Sequence, residues 1–167
     1  GGFQQLVAKA AGAEASAEGS LKTGLAVIAG VGDSKSATTE EAGEGKYDVT
    51  LVAVLVDDNG VIQDCVIDGI ATSVQFDAAG ALVTDVNVAP QTKNELGENY
   101  GMVAWGGAIA EWDAQAAAFA SYITGKTAAD VAGIAVNEKT APTDADLTAS
   151  VTIKIGGFQQ LVAKAAQ

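Results

Sequence analysis

The chain of 167 residues has no histidine and a single cysteine, Cys65. Without histidine, neither a histidine-dependent catalytic triad nor a histidine metal ligand can form. One cysteine excludes an intramolecular disulfide and a cysteine-based zinc site, and because Cys65 stands among valine and isoleucine we predict a buried, unreactive thiol. Acidic pairs such as Glu40 and Glu41 are too frequent here to indicate acid-base catalysis. We therefore predict no catalytic residues, no metal site and no enzymatic activity.

Arginine is also absent, and nine lysines stand against 21 acidic residues, for a formal net charge of −12. A chain this acidic repels nucleic acid and anionic lipid, while its charge keeps an alanine-rich surface soluble. There is no run of about 18 apolar residues that could cross a bilayer. The composition therefore predicts no nucleic-acid partner and no membrane-spanning segment.

Aromatic residues make up only 5% of the chain, whereas hydrophobic residues make up 49% and glycine occurs 20 times. The length suits one domain, with a core built from valine, isoleucine, leucine and alanine. This composition is typical of a secreted bacterial surface protein. The chain begins at Gly1 without methionine, which favours a processed or partial chain, and we expect an extracellular location.

One segment, GGFQQLVAKAA, occurs twice, at residues 1–11 and again at residues 156–166. Four apolar residues in each copy follow the spacing i, i+3, i+4, i+7, which predicts an amphipathic helix. An isolated helix of this length is unstable in water. We predict that the two stripes mediate self-assembly: Phe3, Leu6, Val7 and Ala10 in the first copy, and Phe158, Leu161, Val162 and Ala165 in the second.

The repeat divides the chain into three parts. Residues 1–12 form the first helix, which is either an N-terminal arm or the end of a preceding repeat. Residues 13–20, AEASAEGS, are small and acidic and predict a linker. Residues 21–167 form a single domain.

Hydrophobic patterns within this domain predict an α+β fold in which an antiparallel meander and a late strand are covered by helices. The strongest strand is apolar on both faces, which predicts a central strand covered on both sides. Trp105 and Trp112 are predicted to be core residues, with a ligand-binding wall as the alternative. The predicted strands span residues 25–31, 47–56, 61–68, 70–76, 81–88 and 149–155.

Helix signals cluster after the meander. Thr92 with Glu95, and Thr127 with Asp130, have the spacing of helix-capping pairs. Between them, a longer helix is predicted over residues 108–123 from the apolar stripe Ile109, Trp112, Ala116, Phe119, Ala120 and Ile123.

The hairpin with Asp58-Asn59-Gly60-Val61-Ile62 at its turn, the helices after it and the segment DADLTAS at residues 144–150 resemble the bacterial FMN-binding domain family. The resemblance covers about residues 47–166. It implies that family's α+β fold, with a flavin phosphate attached to Ser150, Asp144 orienting the attachment and Ala149 beside it. The serine and glycine of the family motif are replaced by Leu147 and Thr148, so we expect the fold to be kept and the flavin to be lost.

The sequence thus favours a structural subunit of an extracellular filament or tandem-repeat surface protein, which assembles head to tail through the repeated helix. Its partner would be another copy of itself, without a cofactor. The alternative is an extracellular electron-transfer module that binds FMN.

Overall fold

The computed structural model describes residues 21–167; the first copy of the repeated segment and the predicted linker, residues 1–20, lie outside the described residues. The described part is α+β, as predicted. Its strands are β1 (Lys22–Gly30), β2 (Gly43–Val56) and β3 (Ile62–Phe76), and its helices are α1 (Lys93–Leu96), α2 (Met102–Gly106), α3 (Trp112–Ile123), α4 (Ala128–Ala132), α5 (Ala145–Thr148) and α6 (Gly156–Ala165). A 3₁₀ turn, Gly97–Tyr100, joins α1 to α2.

The three strands form an open antiparallel sheet in the order β1-β2-β3. A tight turn joins β2 to β3, in which Asp57 Oδ1 accepts hydrogen bonds from the backbone N–H groups of Asn59 at 2.8 Å and Val61 at 3.0 Å. Gly60 occupies the left-handed region with φ 76°, which glycine adopts without strain. The predicted turn is therefore confirmed, while the two strands predicted for residues 61–68 and 70–76 are one continuous strand.

The two faces of the sheet differ in how they are covered. The inner face carries Val52, Val54 and Val56, which are buried beneath the helices. On the outer face, Leu25 and Val66 pair across Ala53 and are 66% and 52% exposed. The prediction that β2 is central is confirmed, but the prediction that both of its faces are covered is wrong, because the helices within residues 21–167 bury the inner face alone.

The core lies between the inner face and α3, α4 and α6. The predicted stripe of α3 is buried from Trp112 to Ile123. Ile109 does not belong to it and is 56% exposed, because the helix begins at Trp112 instead of residue 108. The preceding residue, Glu111, is extended, and its carboxylate accepts hydrogen bonds from the N–H groups of Met102 and Val103 at the start of α2.

The strand predicted at residues 149–155 is wrong. Its alternation of buried and exposed residues is present, with Val151 and Ile155 buried, but the segment pairs with no strand among the described residues. Its backbone N–H groups are used otherwise: those of Thr152 and Ile153 donate to Gln115 Oε1 at 2.8 and 3.2 Å. A buried side chain of α3 therefore replaces the neighbouring strand.

The strand predicted at residues 81–88 is also absent. A turn closed by Gly80 N–H donating to Asp77 C=O at 2.9 Å brings the chain back toward β3. Leu82 then forms one isolated bridge with Phe76, and Val86 and Val88 are exposed. Because nearly all of its side chains are exposed and it forms a single bridge, this segment does not extend the sheet.

Among the helices of residues 21–167, none is both long and apolar enough to cross a membrane.

Candidate functional site: the socket of the repeated helix

The second copy of the repeated segment is α6, and it packs against β1, β2 and α4. We call the surface of these elements and α3 that receives α6 the socket. The four residues of the predicted stripe are the buried residues of this helix: Phe158, Leu161, Val162 and Ala165. The helix is therefore part of the domain core. Whether its twin, with Phe3, Leu6, Val7 and Ala10, mediates self-assembly stays a prediction, because that copy lies outside the described residues.

Phe158 anchors α6 in the socket through two aromatic rings of α3. Its ring meets that of Trp112 edge to face, with centroids 5.9 Å apart, and lies 5.6 Å from the ring of Phe119. Aromatic pairs at such distances add about 0.5–1.5 kcal/mol beyond the burial of their area. The phenylalanine of the repeated segment therefore needs a socket that places two aromatic rings around it.

Gln159 supplies a polar contact that the apolar pattern did not reveal. Its side-chain amide donates hydrogen bonds of 2.9 Å to the carbonyl oxygens of Val131 and Ile134, at the end of α4. The last carbonyl groups of a helix have no partner within the helix. The next residue, Gln160, is exposed. The two glutamines of the segment therefore differ: Gln159 forms hydrogen bonds with the socket, and Gln160 faces solvent.

Two glycines let the ends of α6 approach its neighbours. A Cβ at Gly24 of β1 would overlap the carbonyl oxygen of Ala165. At the other end, a Cβ at Gly156 would lie 2.9 Å from Cβ of Thr140, too close for a real side chain. The fit between segment and socket therefore extends to the backbone at both ends of the helix.

The residues implied by the flavin resemblance have local structural roles. Asp144 caps α5, where its Oδ1 accepts hydrogen bonds from the N–H groups of Asp146 at 3.0 Å and Leu147 at 3.2 Å. Ser150 is exposed and its hydroxyl donates to the carbonyl oxygen of Leu147 at 3.4 Å, while Ala149 ends the helix. Capping of α5 gives Asp144 a structural role that requires no flavin. Flavin attachment at Ser150 stays a prediction.

The two tryptophans have different surroundings. Trp112 is buried in the core, as predicted. The same prediction is wrong for Trp105, which is 85% exposed and packs its ring against Gly101 at the start of α2. Residues 102–106 form a short helix at the surface, so its largest side chain has no core to enter.

Cys65 lies on the inner face of β3, paired with Val54, and is buried and free, as predicted. Burial, which disfavours the charged thiolate, and the neighbouring carboxylate of Asp64 raise the pKa of its thiol to about 12. The thiol is therefore protonated at neutral pH. Within residues 21–167, no three cysteine or acidic side chains are grouped so that they could hold a metal ion.

No model of a known protein family matches the chain, and neither a curated protein nor a solved structure is significantly similar to it.

Proposed function

We propose that the chain is a structural unit of an extracellular protein, in which units are joined head to tail and the repeated helix closes each one. The observation that carries this proposal is that α6 is a core element whose four apolar stripe residues are all buried. An identical segment stands 155 residues earlier, at residues 1–11. The first copy carries the same side chains as α6, so it offers the same apolar stripe to a socket of this kind.

The number of helices and sockets favours a tandem array over a filament of separate chains. The described residues form one socket, and it holds one copy of the segment. A separate chain with two copies always has one more helix than sockets, so exchanging identical helices between chains buries no additional area. In an array with a period of 155 residues, each period has one helix and one socket. Residues 1–11 then belong to the socket of the preceding unit.

Leaving this segment in water is unfavourable. Burial of apolar surface stabilises by about 25 cal/mol per Å², so four apolar side chains are worth several kcal/mol. A preceding unit supplies the socket that this burial requires. In the array, both copies of the segment therefore bury their apolar stripes through the same kind of contact.

The outer face of the sheet is a second surface for contact between units. Leu25, Val27 and Val66 are 66%, 47% and 52% exposed there, and contiguous apolar patches of this kind mark interaction sites. Residues 12–21, which would join two units, end directly before β1, the strand that carries Leu25 and Val27. Ten residues reach about 35 Å at most, so the preceding unit is held close to this face. We assign that unit as its occupant.

The mass of the intact protein, isolated from the cells that make it, tests the proposal. One period with its extra segment has a mass of 16.6 kDa. The array predicts a longer polypeptide under denaturing conditions, whose peptides include residues 160–167 followed directly by residues 13–20. A native polypeptide of a single period that is monomeric in solution would contradict the proposal. If the denatured chain has one period but the native particle is a linear polymer, the separate-chain filament is correct instead.

A further inference from the structure

A groove of about 790 Å³ opens between the inner face of the sheet and α6, at the end where the 3₁₀ turn and α2 approach. Its volume falls within the range of small-molecule sites, about 300–1,000 Å³. Apolar and aromatic side chains form much of its wall: Ile28, Tyr100, Met102, Trp112, Ile153, Phe158 and Leu161. The wall formed by α6 exists only when a copy of the repeated segment fills the socket.

The charge of this groove is opposite to that of the chain. Three lysines line it, Lys93, Lys139 and Lys154, with Asp48 as the only carboxylate in its lining. The whole chain carries a formal charge of −12. A concave site with low-dielectric walls focuses such a local field and concentrates ions of the opposite sign.

Lys93 is the most informative of the three lysines, because its side chain is only 7% exposed. Burying an ammonium group costs several kcal/mol unless it is paired. Its Nζ lies 3.7 Å from Asp48 Oδ2, and 4.9 and 5.7 Å from the ring centroids of Trp112 and Tyr100. The carboxylate is itself 62% exposed and beyond direct hydrogen-bond distance. The ammonium therefore has donors available for an anion in the groove.

The other two lysines are exposed at the rim. Lys139 lies in a turn held by Asn137, whose Oδ1 accepts hydrogen bonds from the N–H groups of Lys139 at 2.9 Å and Ala141 at 3.1 Å. Lys154 follows the segment that is fixed by Gln115. Both backbones are thus held in place, while the long side chains can turn toward a bound anion.

From this geometry we infer that the groove binds an organic anion with an aromatic body. The aromatic part packs on Trp112 and Phe158, the anionic group contacts Lys93, and Lys139 and Lys154 close over it. The site is separate from Ser150, which does not line the groove. It requires neither an array nor a second copy, so it stands whether or not the proposed assembly is correct.

Two fluorescent probes that differ in charge test this inference. Anilinonaphthalene sulfonate is anionic, and N-phenylnaphthylamine has nearly the same rings without the sulfonate. We expect the sulfonate to bind the full chain with one site and to quench Trp112, and to bind at least tenfold more tightly than the neutral probe. Equal affinity for both probes, or no saturable binding of the sulfonate up to millimolar concentration, would overturn the inference.

Lysine variants locate the site. The double variant Lys139→Gln, Lys154→Gln should weaken sulfonate binding about tenfold and leave the neutral probe unchanged, since both side chains are exposed and the fold does not depend on them. The double variant Lys35→Gln, Lys164→Gln removes the same charge outside the groove and is the control. If both double variants lower the affinity equally, only the net charge matters and the groove is not the site. Asp48→Asn, which removes the competing carboxylate, should strengthen binding; weaker binding would also contradict the assignment.

Discussion

Ala165, near the end of the last helix, lies directly against Gly24, near the start of the first described strand. The two ends of the domain therefore meet at the socket. A copy of the segment placed before β1 has residues 11–21 to connect the same helix position to the same strand. We therefore propose that the repeated helix can enter the socket from either end of the chain, which is the basis for treating the two copies as equivalent.

Gly24→Ala should destabilise the domain by about 1–3 kcal/mol, the usual cost of forcing an extra methyl group into a packed site. The added Cβ would overlap the Ala165 carbonyl oxygen and push α6 out of the socket. Urea unfolding followed by circular dichroism measures the loss. Gly30→Ala on the same strand is the matched control, because its nearest neighbour would lie 4.0 Å away. Equal stability of the two variants would show that the close approach is unimportant.

Gln115→Leu should cost about 3 kcal/mol. The side chain is fully buried, and its oxygen accepts the backbone N–H groups of Thr152 and Ile153. Leucine leaves these donors without an acceptor, which costs about 1–3 kcal/mol for each buried group. Gln160→Leu, at an exposed position of α6, should change the free energy of unfolding by less than about 0.5 kcal/mol. A similar small change for both variants would contradict the role given to Gln115.

The thiol of Cys65 should resist alkylation at pH 8 in the folded protein and react after unfolding in urea. Its pKa is raised to about 12 by burial and by Asp64, whereas an unfolded cysteine has a pKa of about 8.5. Below pH 8 both states keep the proton, so this thiol does not alter stability. Between about pH 8.5 and 12 only the unfolded state ionises, and stability falls. Cys65→Ala should remove that part of the decline; an unchanged pH profile would show that another group causes it.

The flavin alternative makes a separate prediction. Attachment at Ser150 would give a yellow protein whose mass exceeds that of the polypeptide by one flavin phosphate, and Ser150→Ala would remove both properties. Because Ser150 donates to Leu147 and Asp144 is occupied with capping α5, we expect a colourless protein of unmodified mass. Expression in a host that attaches flavins, followed by absorbance and intact mass, distinguishes the two results.

Features that depend on neighbouring residues in the sequence could be predicted. The stripe of α6 and the buried residues of α3 from Trp112 onward follow helical spacing, and the capping pair Thr127 with Asp130 forms hydrogen bonds in both directions. Each of these depends on contacts within about one helical turn. Ile109 lies outside the stripe because α3 begins at Trp112, and the extended residue before it, Glu111, binds N–H groups of α2 that are distant in the helical pattern.

Features that depend on distant partners could not be predicted. The alternation at residues 149–155 indicates which side chains are buried, but not that Gln115 takes the place of a neighbouring strand. The outer face of β2 has an apolar pattern with no helix to cover it among the described residues. Likewise, no local pattern brings Lys93, Lys139 and Lys154 to one groove, since they belong to three separate segments.

The equivalence of the two copies can be measured with a double-mutant cycle at the socket. Leu161→Asp buries a charge in the core and should unfold a chain that has no substitute helix, with a loss of about 4 kcal/mol or more. In the full chain, we expect residues 1–11 to take its place, from the same chain as a monomer or from another chain as an oligomer. Leu6→Asp alone should leave stability unchanged. Gln160→Asp, at an exposed position of α6, combined with the equivalent change Gln5→Asp in the first copy, is the control for added charge.

We expect Leu161→Asp alone to keep most of the stability of the native chain, whereas the combination with Leu6→Asp unfolds it. Urea unfolding of the four proteins of this cycle, with light scattering to separate monomer from oligomer, gives the result. If Leu161→Asp is as unstable alone as in the double variant, the first copy cannot enter the socket, and the proposed head-to-tail array loses its basis.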